Sequence, residues 1–513
     1  MALHVTNTMT RRKERFEPLD PPEVRMYVCG VNLYGPAHVG HALSYVFFDV
    51  VRRHLEWSGY RVRHVQNFTD VEDRIIARAR AEGRTIGQIA EEYIARFHGE
   101  MDRLNVLRAH RYPRATQAIP KILEIIQGLL EKGFAYVVDG DVYYRVRAFP
   151  EYGRLSGRRL EEMLAGARVA VDPRKEHPMD FALWTRAKPQ EPSWPSPWGE
   201  GLPGWHIECS AMVLEHLGPQ IDIHGGGEDV IFPHHENEIA QSEAYTGRKP
   251  FVRYWLHNAL LRPGEGEEKM TRHLGNVVTI EEALRRYTPD GLRLFFLSSH
   301  YRSPLTWKEQ AVEAADRGAL RLRNALEAAE ALLRRTRPSG RDSVAAAALR
   351  ERADRARESF RAALDDDFDT PRAIAELHAL AAEINRLVDG LSKRSQEAGS
   401  PEDAADALAH ARAVLQELAS VLGLRLEGRV LLERLREELR RILSEEEALE
   451  GVDGEGHPEE VLERILEVRQ RARERREFAV ADRIRQRLAE IGVVVEDFPG
   501  GSRWRIRDRV GEG

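Results

Sequence analysis

Two cysteines and one short histidine-carboxylate run hold the residue types that bind a transition metal: Cys29, Cys209 and Pro233-His234-His235-Glu236-Asn237-Glu238. On a helix His234 and Glu238 lie four residues apart on one face, the spacing of a paired metal ligand. With the two thiolates they make a set of two sulfurs, one imidazole and one carboxylate, and borderline-soft zinc accepts all three ligand types. The same residues also read as two buried structural cysteines beside a polar helix. A second group, Pro36-Ala37-His38-Val39-Gly40-His41, suits phosphate. Its two imidazoles can donate to phosphate oxygens and Gly40 lets a nucleotide approach the backbone, although two ordinary loop histidines would look alike.

The surrounding pattern supplies elements to position both groups. Met26 to Cys29 is a short β-like run, a loop carries His38 to His41, Ala42 to Leu55 suits a buried helix, and Arg61 to Gln66 alternates like a strand. That order is a βαβ unit of a parallel nucleotide-binding sheet, whose carboxyl edge binds ligands and whose helix N-termini favour phosphate. A helix from Pro120 to about Lys132 leads into Tyr136 to Val138 and Val142 to Tyr144, and Asp139-Gly140 between them signals a hairpin. A Pro-rich stretch, Pro189 to Trp198, precedes the return of the sheet pattern at Ile221 to His224.

The expected fold class is therefore α/β: a split Rossmann-like nucleotide-binding domain, its first half 1–115 and second half 205–304, interrupted by an insertion over 116–204. From 305 the chain is rich in Ala, Leu, Glu and Arg, which predicts an all-helical bundle over 305–395. The region 396–513 ends in two short strand-like runs, Val493 to Val495 and Trp504 to Ile506, and so in a small terminal domain.

With 513 residues the chain exceeds what one hydrophobic core supports. Hydrophobic residues make up 42% and charged residues 31%, and no apolar run approaches the ~20 residues that span a bilayer, so no membrane role is expected. Met1 to Glu14 lacks the apolar core of a secretory signal, which predicts a cytoplasmic location. Two cysteines are too few for a disulfide framework in so large a chain. The net charge of −6 gives no global pull on nucleic acid. Basic residues nevertheless gather near the C-terminus at Arg469, Arg471, Arg473, Arg475, Arg476, Arg483, Arg485 and Arg487, either as a solvated helix face or as RNA backbone contacts.

His38-Val39-Gly40-His41 after a first strand resembles the His-Ile-Gly-His signature of class I aminoacyl-tRNA synthetases. Longer strings, Met26 to Gly30, Glu191 to Trp198, Pro203 to Met212, Asp222 to Gly227 and Phe232 to Ser242, resemble the cysteinyl-tRNA synthetase family. The likeness continues through His300 to Ser303, Asp365 to Pro371, Val495 to Asp497 and Arg503 to Arg505. It implies one zinc ion per chain, held by Cys29, Cys209, His234 and Glu238, in an amino-acid pocket with Asn32, Trp205 and His224. It implies Mg-ATP as substrate, with His38, His41, Lys269 and Arg272 on the triphosphate and transition state, and Gly40 and Asp229 at the nucleotide. L-cysteine and its tRNA are the other implied substrates, the region 396–513 binds the anticodon, and the chain is a monomer. Trp504, between Arg503 and Arg505, is the candidate anticodon contact and equally a core residue of a small domain. Zinc also has an independent rationale: an apolar pocket separates near-isosteres such as cysteine and serine by only ~1–3 kcal/mol. A zinc ion, by contrast, takes a thiolate far more readily than a hydroxyl.

Three positions depart from the family pattern. Lys269-Met270-Thr271-Arg272-His273 stands where Lys-Met-Ser-Lys-Ser is expected; Arg272 keeps the charge with different reach and geometry. Asn32 replaces a usual threonine, and Arg74-Ile75-Ile76-Ala77 lacks the lysines tied to persulfide chemistry, which is not expected here. The expected reaction is activation of cysteine to its adenylate, then transfer to the 3′ end of tRNA. One alternative is a cysteine:amino-sugar ligase of the mycothiol type, against which the tail around Asp497 and Trp504 argues. The other is a non-catalytic paralogue that binds tRNA or cysteine, an idea sustained by the altered loop.

Overall fold

The computed structural model describes residues 2–160, 172–264, 277–393, 398–426, 439–444, 446, 449, 451–454, 458–491, 493–498 and 501–506. The chain divides into two compact units, Met1–Ala315 with Glu351–Leu380 and Glu417–Leu424, and Asp316–Arg350 with Ala381–Gln416 and Arg425–Gly513.

The first unit opens with a hairpin, β1 (His4–Asn7) and β2 (Arg12–Arg15), then runs through β3 (Glu23–Asn32), α1 (Val39–Trp57), β4 (Arg61–Thr69), α2 (Asp73–Glu82) and α3 (Ile86–Arg103). After α4 (Ile119–Glu131) comes an antiparallel meander of β5 (Ala135–Val138), β6 (Asp141–Tyr144), β7 (Phe181–Arg186) and β8 (Gly201–Pro203). The chain returns through α5 (Trp205–His216), β9 (Ile221–Gly227), α6 (Glu236–Thr246), β10 (Val252–Asn258) and β11 (Leu261–Arg262). It continues through α7 (Ile280–Arg286), α8 (Pro289–Leu297) and β12 (Leu305–Thr306).

The central sheet has the order β10-β9-β3-β4, all parallel. Val24, Met26, Tyr27 and Val28 are fully buried, the near-continuous apolar run of a strand covered on both faces. Asp139 and Gly140 both take positive φ, 53° and 91°, as the two-residue hairpin between β5 and β6 demands. The meander does not close on a core of its own. Trp184, Tyr144 and Phe181 pack into one cluster with Tyr27, Ile207 and Trp255 of the sheet region.

Helix α1 begins at Val39, not after His41 as the sequence pattern suggests. His41 Nδ1 accepts the His38 backbone N–H at 3.2 Å, so an imidazole fills the role a Glu or Gln plays in a capping box and the helix starts three residues early.

Farther along α1, Asp49 is buried against Arg293, whose Nη2 donates to Asp49 Oδ2 at 2.6 Å. The same guanidinium donates to the carbonyls of Leu422 and Leu104, which end helical segments and have no intrahelical partner. Gly423 keeps this fit open, since a Cβ there would meet Arg293 Nη2 at 2.1 Å. Arg293→Met should cost about 3–5 kcal/mol, because a buried carboxylate and several carbonyls lose their donor together. A fall in the denaturant midpoint at unchanged m would register it; a midpoint within error of the parent would refute it.

Four long helices follow: α9 (Glu309–Leu333), α10 (Val344–Asp365), α11 (Thr370–Ser392) and α12 (Pro401–Val421). The second unit ends in α13 (Pro458–Glu474), α14 (Phe478–Glu490) and the hairpin β13 (Val493–Phe498) and β14 (Gly501–Ile506). These share a small core of Leu462, Ile465, Ile484, Leu488, Val493 and Val495, against which Trp504 packs partly buried. The basic run is not a uniform outer face, because Arg469 is only 2% exposed. Among the described residues no helix is long and apolar enough to cross a membrane.

Candidate metal centre and active site

Four elements deliver the thiolate cluster. β3 shifts register against β4 between Val28 and Val31, and Cys29 sits in that irregularity. Gly30 beside it permits the close approach of β4, since a Cβ would meet the Asn67 carbonyl oxygen at 1.6 Å. Cys209 lies in α5, and His234 in a widened turn over Ile231–His235, where Phe232 takes an extended conformation (φ −136°, ψ 131°). Glu238 follows in the first turn of α6. One ligand atom from each of Cys29, Cys209, His234 and Glu238 lies within 4.8 Å of all the others.

A second quartet, Cys29, His224, His235 and Glu238, meets the same distance limit and shares two members with the first. Hydrogen bonds give its imidazoles a supporting part. His224 Nε2 is 2.9 Å from Glu238 Oε2, while Glu238 Oε1 is 3.1 Å from His234 Nε2. His235 Nε2 is 3.2 Å from Cys29 Sγ, and His206 Nδ1 is 3.0 Å from His234 Nδ1. Outer contacts of this kind fix the orientation and tautomer of metal ligands.

Taken by themselves the four groups divide their charges. Its hydrogen bond with Cys29 lowers Cys209 to about 6, whereas the same bond, and burial, push Cys29 well above the ordinary thiol range. Burial would depress His234, but the Cys209 and Glu238 charges lift it to about 10. Burial would likewise raise Glu238, but His224 and His234 hold it at about 2.

The remaining expected site residues fall around this cluster. Trp205, 41% exposed, stacks on His234 with ring centroids 4.3 Å apart. His224 is fully buried, stacked on Trp255 at 4.6 Å, and so stands behind Glu238. Asn32 ends β3 and donates from Nδ2 to Glu72 Oε2 at 3.2 Å. Asp229 lies exposed in the turn just past the carboxyl end of β9. His38 and His41 stack at 3.7 Å at the N-terminus of α1, where a Cβ on Gly40 would press on the His38 ring at 3.0 Å. Lys269 and Arg272 lie outside the described residues.

The structure adds residues that motif reading did not single out: Tyr27, whose ring centroid lies 5.0 Å from that of His224, His206, His235, and His257, whose Nε2 lies 2.7 Å from His235 Nδ1. His235 had a signal in the His-His pair, and His257 in the alternation of β10, where Trp255 and His257 share a face.

Residues 15–317 match the class I (C) tRNA synthetase catalytic domain, 359–427 the DALR domain, and 457–505 the cysteinyl-tRNA ligase anticodon binding domain. The cysteine–tRNA ligase of Dehalococcoides mccartyi is 47% identical over 506 residues, 98% of this chain and 100% of that protein. The chain belongs to the cysteinyl-tRNA synthetase family. The cysteine–tRNA ligase of Aquifex aeolicus is 45% identical over 99% of this chain and 100% of its own length. A family of this kind carries the class I fold, and Mycobacterium tuberculosis methionyl-tRNA synthetase has it too, with TM-score 0.60 at 15% identity over 85% of this chain and 98% of that one.

Proposed function

We infer that this chain joins L-cysteine to the 3′ end of its tRNA at the expense of ATP, with a zinc ion in the amino-acid pocket. The thiolate-rich quartet at the carboxyl edge of a parallel sheet carries the reading, together with the family membership. Two sulfurs, one imidazole and one carboxylate are a donor set that suits zinc, and Cys29, Cys209, His234 and Glu238 would hold it. When bound, zinc supplies a soft electrophilic site that takes a thiolate in preference to an alcohol.

The chain's own groups do the rest. Trp205 covers His234 and flanks the substrate side chain, and Asn32, steadied by Glu72, offers an amide to the amino acid. His224 acts through Glu238. His38, His41 and the first amides of α1, with Gly40 between them, bind the triphosphate, and Asp229 stands by the adenosine. Lys269 and Arg272 neutralise charge as pyrophosphate leaves. The cysteine carboxylate attacks the α-phosphate of Mg-ATP, releasing pyrophosphate and forming the adenylate; a terminal ribose hydroxyl of tRNA then attacks the carbonyl and releases AMP. The C-terminal region reads the anticodon. Packing against the terminal core favours Trp504 as an anchor for that surface. The enzyme works in the cytoplasm as a monomer. Neither a small-amine acceptor nor a purely binding role gains support.

Charging of a cysteine-accepting tRNA with radiolabelled cysteine, run beside cysteine-dependent pyrophosphate exchange on protein of known zinc content, tests this. Both activities are expected. Exchange without charging would point to another acceptor, and loss of both from zinc-loaded protein would overturn the reading.

A further inference from the structure

A hydrogen-bonded chain runs from Cys29 away from the metal quartet to the N-terminal hairpin. Cys29 Sγ lies 3.2 Å from His235 Nε2, His235 Nδ1 lies 2.7 Å from His257 Nε2, and His257 Nδ1 lies 2.8 Å from Thr8 Oγ1. Both imidazoles are buried. Thr8 is held in place from its own backbone and from Asn7. The Thr8 N–H donates to the Trp255 carbonyl at 2.9 Å, the Trp255 N–H donates to Asn7 Oδ1 at 3.1 Å, and Asn7 Nδ2 donates to the Arg253 carbonyl at 2.9 Å. The end of β1 is thereby stitched along β10, beside His257.

A neutral imidazole carries one N–H and one lone pair, so a chain through two of them has a direction. Each of these buried rings has a hydrogen-bond partner on both nitrogens, so each relays as donor at one nitrogen and acceptor at the other. A thiolate at Cys29 accepts only if His235 Nε2 carries the proton. His235 Nδ1 must then accept from His257 Nε2, and His257 Nδ1 must accept from the Thr8 hydroxyl. In the opposite direction Thr8 accepts and sulfur is the donor, which suits a thiol and not a metal-bound thiolate.

We propose that Thr8 is a positioning residue of the metal centre, whose hydroxyl supplies the terminal donor of a chain through His257 and His235 that ends as a donor on the Cys29 thiolate. The proposal rests on the zinc reading above. A hydrogen bond to a ligating sulfur withdraws charge from it and fixes its lone pairs, and losing such an outer contact typically weakens metal affinity by about 10–100-fold.

The test uses the full chain with ring-¹⁵N-labelled histidine, zinc-loaded for tautomer spectra and cobalt-loaded for absorption, as wild type, Thr8→Val and Thr8→Ser. Wild type should carry the His235 and His257 protons on Nε2. Thr8→Val should lose the Nε2–H form of His257, move the thiolate-to-cobalt band to lower energy and release zinc to a chelator about 10-fold more readily. Thr8→Ser, which keeps the hydroxyl, should restore all three. A Thr8→Val protein with wild-type tautomers and band would overturn the proposal, as would Thr8→Ser behaving like Thr8→Val. Absence of a thiolate-to-cobalt band from wild type would instead remove the zinc reading and the proposal with it, a failure visible before any substitution is made.

Discussion

Cys209→Ser protein is expected to purify without stoichiometric zinc and to show strongly reduced, though measurable, cysteine-dependent pyrophosphate exchange. Structural zinc sites are worth roughly 10–16 kcal/mol, so deleting one of four ligands should cost roughly 3 kcal/mol, about 100-fold in affinity. Discrimination should fall with affinity: the preference for cysteine over serine should shrink toward the ~10–200-fold that a metal-free pocket can supply. Zinc content by elemental analysis, and exchange measured with each amino acid, give the answer. A variant with one equivalent of zinc and undiminished selectivity would remove Cys209 from the centre.

The same charges set a pH dependence. At pH 7.5 Cys29, pushed above the ordinary thiol range, and His234, raised to about 10, still hold their protons, while Cys209 at about 6 has lost its own. Zinc uptake must therefore release about two protons, and affinity must rise with pH in that range. Calorimetry in buffers of different ionisation heat counts them; release of none would contradict the charge assignment.

The second large effect concerns His41. His41→Ala should lower kcat for adenylate formation by about 10²–10³-fold, the usual cost of removing one donor aimed at developing charge, with zinc content and KM for cysteine nearly unchanged. Accepting the His38 N–H at Nδ1 leaves the ring proton on Nε2, the form that donates. Alanine also deletes a cap, worth ~1 kcal/mol, so a thermal shift will accompany it. His41→Gln keeps the capping acceptor and separates the two effects: stability should return and most of the rate should not. Wild-type kcat in His41→Ala would take this imidazole out of the chemistry.

The candidate metal quartet could be assembled from sequence because its chemistry is local or scarce: the chain has only two cysteines, and His234 and Glu238 lie one helical turn apart. Its supporting row could not. His224, His235 and His257 meet through the register that sets Trp255 opposite His224, and Thr8 joins them because β1 runs along β10; no short pattern encodes which strands become neighbours. The start of α1 was misplaced for a related reason, since a histidine at the third helical position is not a usual cap signal. The hairpin of β5 and β6 was visible as alternation around Asp139-Gly140, whereas β7 and β8 were not anticipated. Alternation does not say what a face packs on, and here Trp184 joins the core that holds Trp255.

The stitching of β1 bears on how the protein is made. Thr8 leaves the ribosome 249 residues before His257, and Thr6, whose backbone N–H and hydroxyl both donate to the Asp367 carboxylate, waits 361 residues for its partner. At synthesis rates of about 5–20 residues per second the N-terminal segment stays unpaired for tens of seconds, while Cys29 and then Cys209 are already exposed to metal and oxidant. Thiol protection during translation therefore depends on what the nascent chain meets, and the finished centre closes only when the first strand finds the last of the sheet.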